Sequence, residues 1–437
     1  MKNSKPVVIH WFRRDLRLHD NKGLYQALNS GYPVIPLFIF DDDILNALPG
    51  NDHRVAFIYQ VLQDINQELE KHGRGLLVRK GKPVSVLASL CAENNVRAVY
   101  CNEDHEPYGR TRDGEVSRVL KNSGVDFHSH LDHLVMHKDA VLVSPENQQP
   151  YRVFTPYSRA WKAKLTEDHL KYYPSEDHLK NFFLPLQESF PTAKMLGFLP
   201  SEKQAPPLAI DESLIRNYHE TRDFPFLEGT SRLGVHLRFG TVSIRELVRK
   251  ALQWNETFLN ELIWREFYAM LLWHYPHIVN QSFKPGYDRI EWRNNEDEFK
   301  SWMVGKTGYP MVDAGMRQLN ETGYMHNRVR MVVASFLSKH LLIDWRWGEA
   351  YFAEKLFDYE LSSNNGGWQW SAGTGSDAAP YFRIFNPAAQ QKKFDPDQKY
   401  IREWIPELDT ANYPAPVVDH RQARERCLKT YKKALGP

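Results

Sequence analysis

The sequence has little cysteine. It holds three cysteines in 437 residues, an odd number with no C-x-x-C pair, which excludes a disulfide framework and argues against a cysteine zinc site. No apolar run approaches the ~18 residues that a membrane helix needs. The N-terminus also lacks the apolar core of a signal peptide. We therefore expect a cytoplasmic protein that holds no metal and does not associate with membranes.

The net charge is also small. It is +2 at pH 7, with an isoelectric point of about 8.2, which excludes a strongly cationic wrapper of nucleic acid but leaves room for a local basic patch. The G-x-G-x-x-G motif is missing after the first predicted strand, where Arg13, Arg14 and Asp15 stand instead. A standard dinucleotide site is not expected at that turn.

Aromatic residues, by contrast, are abundant. The chain has 12 Trp, 21 Tyr and 23 Phe, and most of the tryptophans follow residue 250. This clustering indicates a stacking surface, a bound aromatic cofactor or a large helical core.

The first 135 residues alternate β-rich and helical stretches. Strands are predicted at 6–12, 32–40, 75–81, 97–103 and 125–131, and helices at 53–72, 83–95 and 110–123. Strands that are apolar on both faces and alternate with helices predict a doubly wound parallel sheet, a Rossmann-like α/β domain.

Beyond residue 135 the pattern changes twice. Residues 136–205 contain prolines and are of mixed polarity, which is typical of an interdomain linker or a functional loop. After residue 206 strand patterns vanish and helical periodicity takes over. The expected order is an α/β domain at 1–135, a linker at 136–205 and an all-α domain at 206–437.

Several segments of the helical half hold residues suited to binding. In ELIWREFY, Glu261 and Trp264 share a helix face, and the carboxylate either faces water or is buried with a partner. In TSRLGVHLRFG, hydroxyls precede a helix start, which makes either an anion site or an ordinary N-cap. The segment GYMHNRVRM forms either an amphipathic surface or a polar binding set of four residues: Asn327, Arg328, Arg330 and Met331.

The stretch NNGGWQW is the most unusual. Gly366 and Gly367 weaken any regular element, which indicates a turn or a close approach to the backbone. Trp368 and Trp370 then present large flat rings. Asp358 lies just upstream, followed by Glu360, and these acids together with an arginine suit a polar cofactor.

Taken together, these segments resemble the photolyase/cryptochrome family over essentially the whole chain. WFRRDLRLHDN, EGTSRL, ELIWREFY, KTGYPMVDAGMRQL, GYMHNRVRM, LLIDW and NNGGWQW…GTGSDAAPYFRIFNP follow in the family's order and spacing. The resemblance is closest to class I photolyases for cyclobutane pyrimidine dimers. Those enzymes bind FAD in a helical domain, flip the dimer out of DNA and pass one electron to it from light-excited reduced FAD.

The resemblance implies a role for each matching residue. FAD contacts would be made by Tyr218, Thr230, Ser231, Arg232, Leu233, Gly234, Arg330, Asp358, Glu360 and Asn364. The dimer and the DNA would be contacted by Arg222, Glu261, Trp264, Asn327, Arg328, Met331 and Trp370. Electrons would hop to the flavin along Trp292, Trp345 and Trp368. Glu261 and Asn364 are the expected catalytic residues, with burial keeping Glu261 neutral and the two glycines clearing space for the flavin.

The chain departs from the folate-binding bacterial enzymes near the antenna site. Tyr108 and Gly109 stand in place of an Asn-Glu pair that holds the folate, so a deazaflavin or FMN antenna is favoured. Gly234 and Glu360 replace a hydroxyl residue and an aspartate, while Phe258 and Tyr324 replace tryptophans. The expected partner is UV-damaged DNA, bound by a monomer.

A plain DNA-binding protein is one alternative, and the intact FAD motifs argue against it. Two functions related to dimer repair are the others. Plant-type cryptochromes, which are photoreceptors, usually carry Asp at the position of Asn364 and a long C-terminal tail. The (6-4) photolyases carry two histidines at the positions of Asn327 and Met331. The residues present here favour dimer repair over both.

Overall fold

The computed structural model describes residues 3–144, 149–183 and 189–436. The chain folds into two compact units. The first unit contains residues 1–140, 164–208 and 233–250, and the second contains residues 141–163, 209–232 and 251–437. Each unit consists of three separate stretches of the sequence, because the chain crosses from one unit to the other more than once. The predicted boundaries after residues 135 and 205 therefore stay predictions.

The first unit is built on a sheet of five parallel strands. These are β1 (Asn3–Phe12), β2 (Val34–Asp41), β3 (Leu77–Gly81), β4 (Asn94–Asn102) and β5 (Asp126–His130). Their order is β3-β2-β1-β4-β5, and each neighbouring pair is parallel. All eight residues of β2 are buried, which explains its apolar run on both faces. The predicted parallel sheet is confirmed.

Helices flank the strands and fill the rest of the chain. Up to residue 254 they are α1 (Lys22–Leu28), α2 (Asp42–Leu45), α3 (His53–Glu70), α4 (Pro83–Glu93), α5 (Pro107–Asn122), α6 (Phe154–Lys164), α7 (Ala193–Leu196), α8 (Glu212–Arg216), α9 (Tyr218–Thr221), α10 (Gly234–Phe239) and α11 (Ile244–Trp254). The remainder are α12 (Glu256–His274), α13 (Glu296–Met303), α14 (Pro310–Thr322), α15 (Asn327–Ser335), α16 (Trp345–Lys355), α17 (Leu361–Ala372), α18 (Pro387–Phe394), α19 (Lys399–Trp404) and α20 (His420–Leu435).

Short elements complete the described chain. They are the antiparallel strands β6 (Leu142–Ser144) and β7 (Gln149–Pro150), the 3₁₀ helices Glu167–Leu170, Ser175–Asn181, Pro276–Val279 and Pro285–Arg289, and the π-helix Phe336–His340. Among the described residues after 206 there is no strand, so the predicted all-helical half is confirmed. No helix in the described part of the chain is long and apolar enough to cross a membrane.

Local sequence fixes where the helices of the second unit begin and end. The Asn255 side chain accepts a hydrogen bond from the Phe258 backbone N–H at the start of α12, and Asp344 caps α16 in the same way. Helix α17 ends at Gly373, which has φ +90°, a left-handed conformation that glycine adopts without strain. These ends position the side chains that surround a central cavity.

Candidate functional site

A cavity of about 390 Å³ opens in the second unit. Helices α12, α15 and α17 line it together with residues 356–360. Eleven predicted site residues line its wall: Arg222, Glu261, Trp264, Asn327, Arg330, Met331, Asp358, Glu360, Asn364, Trp368 and Trp370. Residues that are far apart in sequence therefore meet in one place.

Arginine–carboxylate pairs form one part of the wall. Arg330 Nη2 lies 2.9 Å from Asp358 Oδ2. Arg265 donates from Nε and Nη2 to the two oxygens of buried Glu360, each at 2.9 Å. This fork geometry fixes Glu360 at the start of α17.

The surroundings of Glu261 differ from the expected burial. Arg222 Nη1 donates to Glu261 Oε1 at 2.5 Å, and the Glu261 side chain is 32% exposed. The carboxylate is therefore only partly buried and is paired with an arginine. The catalytic role expected for Glu261 stays a prediction.

Two polar atoms at the cavity are buried without a hydrogen-bond partner among the described residues. They are Asp358 Oδ1 and Trp368 Nε1. A buried polar atom left unpaired is costly, so these positions suit a ligand that supplies the missing donors and acceptors. The cavity wall thus fits a polar cofactor with flat rings, as expected for FAD.

Aromatic rings form the other part of the wall. Trp264 stacks on Phe154, with ring centroids 3.7 Å apart and planes 6° apart, and also packs against Tyr268. Trp370 lies 6.4 Å from the ring of Phe385. Phe154 covers one face of Trp264, so only the other face is available to a ligand.

The two glycines have different roles, which corrects the expectation that both clear space. They lie inside α17, so the stretch is helical. A Cβ on Gly366 would come within 2.2 Å of the Tyr268 ring, whereas a Cβ on Gly367 would meet nothing within 4 Å. Gly366 therefore allows α17 to pack on α12, and only Gly367 leaves the cavity open.

Asn364 is held in one orientation. Its Nδ2 donates to the backbone oxygen of Glu349 at 3.1 Å and to Glu349 Oε1 at 2.8 Å. Because a backbone oxygen can only accept, the amide nitrogen must face Glu349, which leaves Oδ1 as an acceptor. Burial raises the pKa of Glu349, although the hydrogen bond from Asn364 opposes this shift.

The other predicted FAD residues lie outside the cavity lining. Tyr218 packs edge-on against Phe258, with centroids 5.3 Å apart. The Thr230 hydroxyl hydrogen-bonds the Tyr324 hydroxyl at 3.0 Å. Ser231 follows Thr230 in the same loop, and the next residue, Arg232, pairs with Glu228 at 2.8 Å. Leu233 is the N-cap of α10 and Gly234 is its first residue, and both belong to the first unit.

Arg328 is engaged with an acid. Its Nη2 lies 2.6 Å from Asp223 Oδ1, and its guanidinium carbon lies 4.3 Å from the centre of the Phe394 ring. A phosphate contact by Arg328 would have to compete with Asp223.

The three tryptophans of the expected electron path lie in or against the core of the second unit. Trp345 and Trp368 are buried, and Trp292 is partly buried. Gly348 accommodates Trp368, because a Cβ there would come within 2.1 Å of the indole ring.

Three residues that support the site were not predicted as site residues, although Tyr268 was placed on the helix face of Glu261 and Trp264. Arg265, Tyr268 and Glu349 hold Glu360, Trp264 and Asn364, respectively. Arg265 could have been found, since an arginine one position after Trp264 in an apolar helix needs an acid partner. No sequence pattern indicated Glu349, because its partner Asn364 lies 15 positions away in the chain.

Arginines and carboxylates also gather in the first unit, after β1 and β4. Arg14 pairs with Asp104 at 3.1 Å, and Arg112 pairs with Asp113 at 3.1 Å. A Cβ on Gly109 would come within 2.5 Å of the Asp104 carboxyl carbon. Tyr108 donates to Asp41 at 2.6 Å. The space beside Gly109 is therefore filled by the Asp104 side chain.

Comparison with known proteins agrees with this architecture. A model of the DNA photolyase family matches residues 8–175, and a model of the FAD binding domain of DNA photolyase matches residues 258–412. The deoxyribodipyrimidine photo-lyase of Escherichia coli is 38% identical, over 97% of this chain and 98% of that protein. The chain therefore belongs to the DNA photolyase family and carries its FAD-binding domain.

Solved structures give the same result. A class III photolyase from Agrobacterium tumefaciens superimposes with a TM-score of 0.87 at 33% identity, covering 99% of this chain and 98% of that one. An archaeal photolyase from Sulfolobus tokodaii, solved with two FAD molecules, gives 0.84 at 36% identity and coverage of 98% and 99%. A Synechocystis cryptochrome gives 0.82 at 27% identity, covering 98% and 100%.

Proposed function

We propose that this protein is a deoxyribodipyrimidine photolyase, which uses light and reduced FAD to split cyclobutane pyrimidine dimers in DNA. The observation that carries the proposal is a single cavity with a charged wall and an aromatic wall. When bound there, FAD supplies a light-excited electron donor. The remaining chemistry falls to residues of this chain, which hold the cofactor, grip the dimer and exclude water.

The charged wall would hold FAD. Arg330, Asp358, Glu360 and Asn364 line the cavity. Tyr218 would complete the site together with Thr230, Ser231 and Arg232. The unpartnered Oδ1 of Asp358 would accept a donor of the cofactor. Asn364 Oδ1 would accept from the flavin ring, since its Nδ2 is committed to Glu349.

Flavin retention tests this assignment. We expect the Asp358→Ala variant to lose FAD on dialysis, measured by the flavin absorbance that stays with the protein. Asp223→Ala, which removes an acid outside the cavity lining, serves as the matched control. Equal retention by both variants would contradict the role of Asp358.

The aromatic wall would grip a flipped dimer. Trp264 and Trp370 offer ring faces, and stacking contributes ~1–3 kcal/mol per base. Asn327 and Met331 would complete the pocket. Glu261 would reach the dimer once its pair with Arg222 opens. Arg328, helped by Arg222, would contact phosphates and so act on all DNA alike.

Competitive binding of dimer-containing and intact oligonucleotides separates these contributions, with blue-light repair read in parallel. Trp264→Ala should lose roughly five- to 150-fold in lesion preference, which is ~1–3 kcal/mol, with little change on intact DNA. Arg328→Ala should weaken binding to both. If the reduced wild-type protein neither prefers nor repairs dimer DNA, a cryptochrome-type photoreceptor replaces our proposal.

Electrons would reach oxidised flavin through tryptophan. Trp368 lines the cavity, and Trp345 and Trp292 would continue the path. Trp368→Phe should abolish light-driven flavin reduction but leave repair intact once the flavin is reduced chemically. Photoreduction at the wild-type rate in this variant would exclude Trp368 as the donor.

The antenna would be a flavin-type chromophore rather than folate. Asp104 fills the space at Gly109 where a folate-holding acid would stand. The Sulfolobus tokodaii relative, which holds two FAD molecules, supports this direction. Reconstitution with FMN or a deazaflavin should add a near-visible absorption band, and stoichiometric folate in the purified protein would contradict the proposal. We also propose that residues 1–135 form this antenna domain and that the protein acts as a cytoplasmic monomer.

A further inference from the structure

The Trp264 ring at the cavity wall is backed by Phe154, the first residue of α6. The two rings are nearly parallel, with planes 6° apart and centroids 3.7 Å apart. Aromatic pairs prefer edge-to-face or offset arrangements, with centroids 4.5–7 Å apart. A closer face-to-face stack therefore depends on neighbours that hold the two rings together.

Helix α12 supplies two such neighbours. Fully buried Phe267 meets Trp264 edge-on, with centroids 5.6 Å apart, and also meets Phe154 edge-on at 5.9 Å. The ring of Tyr268 tilts against Trp264 at 5.4 Å. Together with Phe154, these rings leave the indole little freedom to turn, so its open face is presented to the cavity in one orientation.

Phe154 is itself anchored through its backbone. The first N–H groups of a helix have no partner within the helix. The Phe154 N–H donates to Asp377 Oδ2 at 2.9 Å, and Ser376 Oγ donates to the backbone oxygen of Arg152 at 2.7 Å. Ser376 and Asp377 lie in the loop after α17. This loop therefore fixes the start of α6 and, with it, the ring that covers Trp264.

We propose that Phe154 is a positioning residue for lesion recognition, which holds the Trp264 indole ready for the dimer, and that Asp377 holds Phe154 in place. The inference rests on the proposed function, in which Trp264 stacks on the flipped dimer. A side chain that is already immobile loses less freedom on binding than one that must first be ordered. Intact duplex DNA places no base in the cavity and gains nothing from this order. Phe154 therefore acts on lesion preference through Trp264.

Competitive binding of dimer-containing and intact oligonucleotides to the FAD-loaded protein tests the proposal. Phe154→Leu keeps an apolar side chain but removes the flat ring. It should lower lesion preference by roughly two- to tenfold, with binding to intact DNA unchanged. Phe299→Leu removes a ring that packs on Trp302 elsewhere in the second unit, and it serves as the matched control. Wild-type lesion preference in Phe154→Leu would overturn the proposal.

Asp377 gives a second test that leaves the aromatic rings intact. Asp377→Ala removes the acceptor of the Phe154 N–H and should lower lesion preference as Phe154→Leu does. In Asp377→Asn the amide oxygen can accept the same hydrogen bond, so lesion preference should stay close to that of wild type. An equal loss in both variants would show that the charge of Asp377 matters rather than this hydrogen bond, and would overturn its assigned role.

A double-mutant cycle separates positioning from general packing. If Phe154 acts through Trp264, Phe154→Leu should cause no further loss of lesion preference in a Trp264→Ala background, whereas independent effects would multiply. Multiplied losses would overturn the proposal and leave the dimer-binding role of Trp264 intact. A wild-type protein without lesion preference would instead contradict the proposed function, so the two failures are distinguishable.

Discussion

The protein gathers arginines and carboxylates in two places, and the two differ in how completely the charges are paired. After β1 and β4 of the first unit, Arg14 and Arg112 neutralise Asp104 and Asp113. At the cavity of the second unit, Asp358 has one oxygen paired with Arg330 and one with no partner among the described residues. Both clusters contain arginines and carboxylates, but the carboxylate oxygen of Asp358 that has no such partner lies beside an open cavity.

Glycines show the same contrast. At the first cluster Gly109 has no room for a Cβ, because Asp104 occupies the space. At the second, Gly367 faces open space. A binding site is therefore indicated by atoms that remain unsatisfied and by space that remains empty. Residue type alone does not distinguish a charged cluster that stabilises the fold from one that binds a cofactor.

Replacing one acid in each cluster should give the largest difference in stability between the two clusters. Asp104→Ala removes the acid that lies 3.1 Å from Arg14, and breaking a buried pair costs about 3–5 kcal/mol, of which Glu106, 3.4 Å from Arg14, would offset a part. Asp358→Ala removes an acid that is 21% exposed and already half-paired, so its loss in stability should be much smaller. Thermal unfolding of both variants makes the comparison. Equal losses would remove the distinction between the two clusters.

The loss of stability at low pH should depend on Asp104. Burial alone would raise its pKa, but the Arg14 and Arg112 guanidinium groups hold the pKa of Asp104 well below its usual range. A lowered pKa contributes stability above the ordinary value of about 3.9, and this is lost as pH falls toward the folded value. Asp104→Asn should therefore cost less at pH 3 than at pH 7, measured as the change in thermal midpoint.

Substitution of the two neighbouring glycines of α17 should change stability in opposite directions, because Gly366 is tightly packed and Gly367 faces open space. Gly366→Ala forces a methyl group into the Tyr268 ring, and overpacking costs about 1–3 kcal/mol. Gly367→Ala meets no atom and improves helix propensity by up to about 1 kcal/mol. Thermal midpoints should therefore move in opposite directions. A fall in both would show that Gly367 is also constrained by packing.

Periodicity and strand composition predicted the parallel sheet and the helical half, because both patterns are local. The strand predicted at 32–40 matches β2 to within two residues at each end, and the segment ELIWREFY, which was expected to be helical, lies inside α12. Short α1 and the antiparallel strands β6 and β7 were missed, since their sequences are too short to show a period. At the site, the family motifs included eleven of the residues that line the cavity, but the loop Thr230–Gly234 lies outside the lining. The split between Gly366 and Gly367 was not predictable, because it depends on the position of Tyr268.

Glu349 should give a smaller, pH-dependent effect. Burial raises its pKa, so its ionised form destabilises the fold, and this cost appears as pH rises from the ordinary value of about 4.3 through the folded value. Glu349→Gln stays neutral and its amide oxygen can still accept from Asn364. We expect a higher thermal midpoint than wild type at pH 8 and no difference at pH 4. A gap that is constant with pH would exclude titration of Glu349 as its cause.

The smallest expected effect concerns Arg328, whose guanidinium is paired like those of the first cluster but lies near the surface. Asp223 is 40% exposed, and it lies 2.6 Å from Arg328 and 3.9 Å from Arg222. Exposed pairs contribute ~0–1 kcal/mol, so Asp223→Asn should hardly change stability. It should release Arg328 for phosphate, steepening the salt dependence of binding to intact duplex DNA by about 0.9 in the log–log slope. Glu425→Gln removes an equal charge from the exposed pair with Arg421 and serves as the control. A slope that changes equally in both variants would reflect net charge alone, and Arg328 would then have no specific phosphate contact.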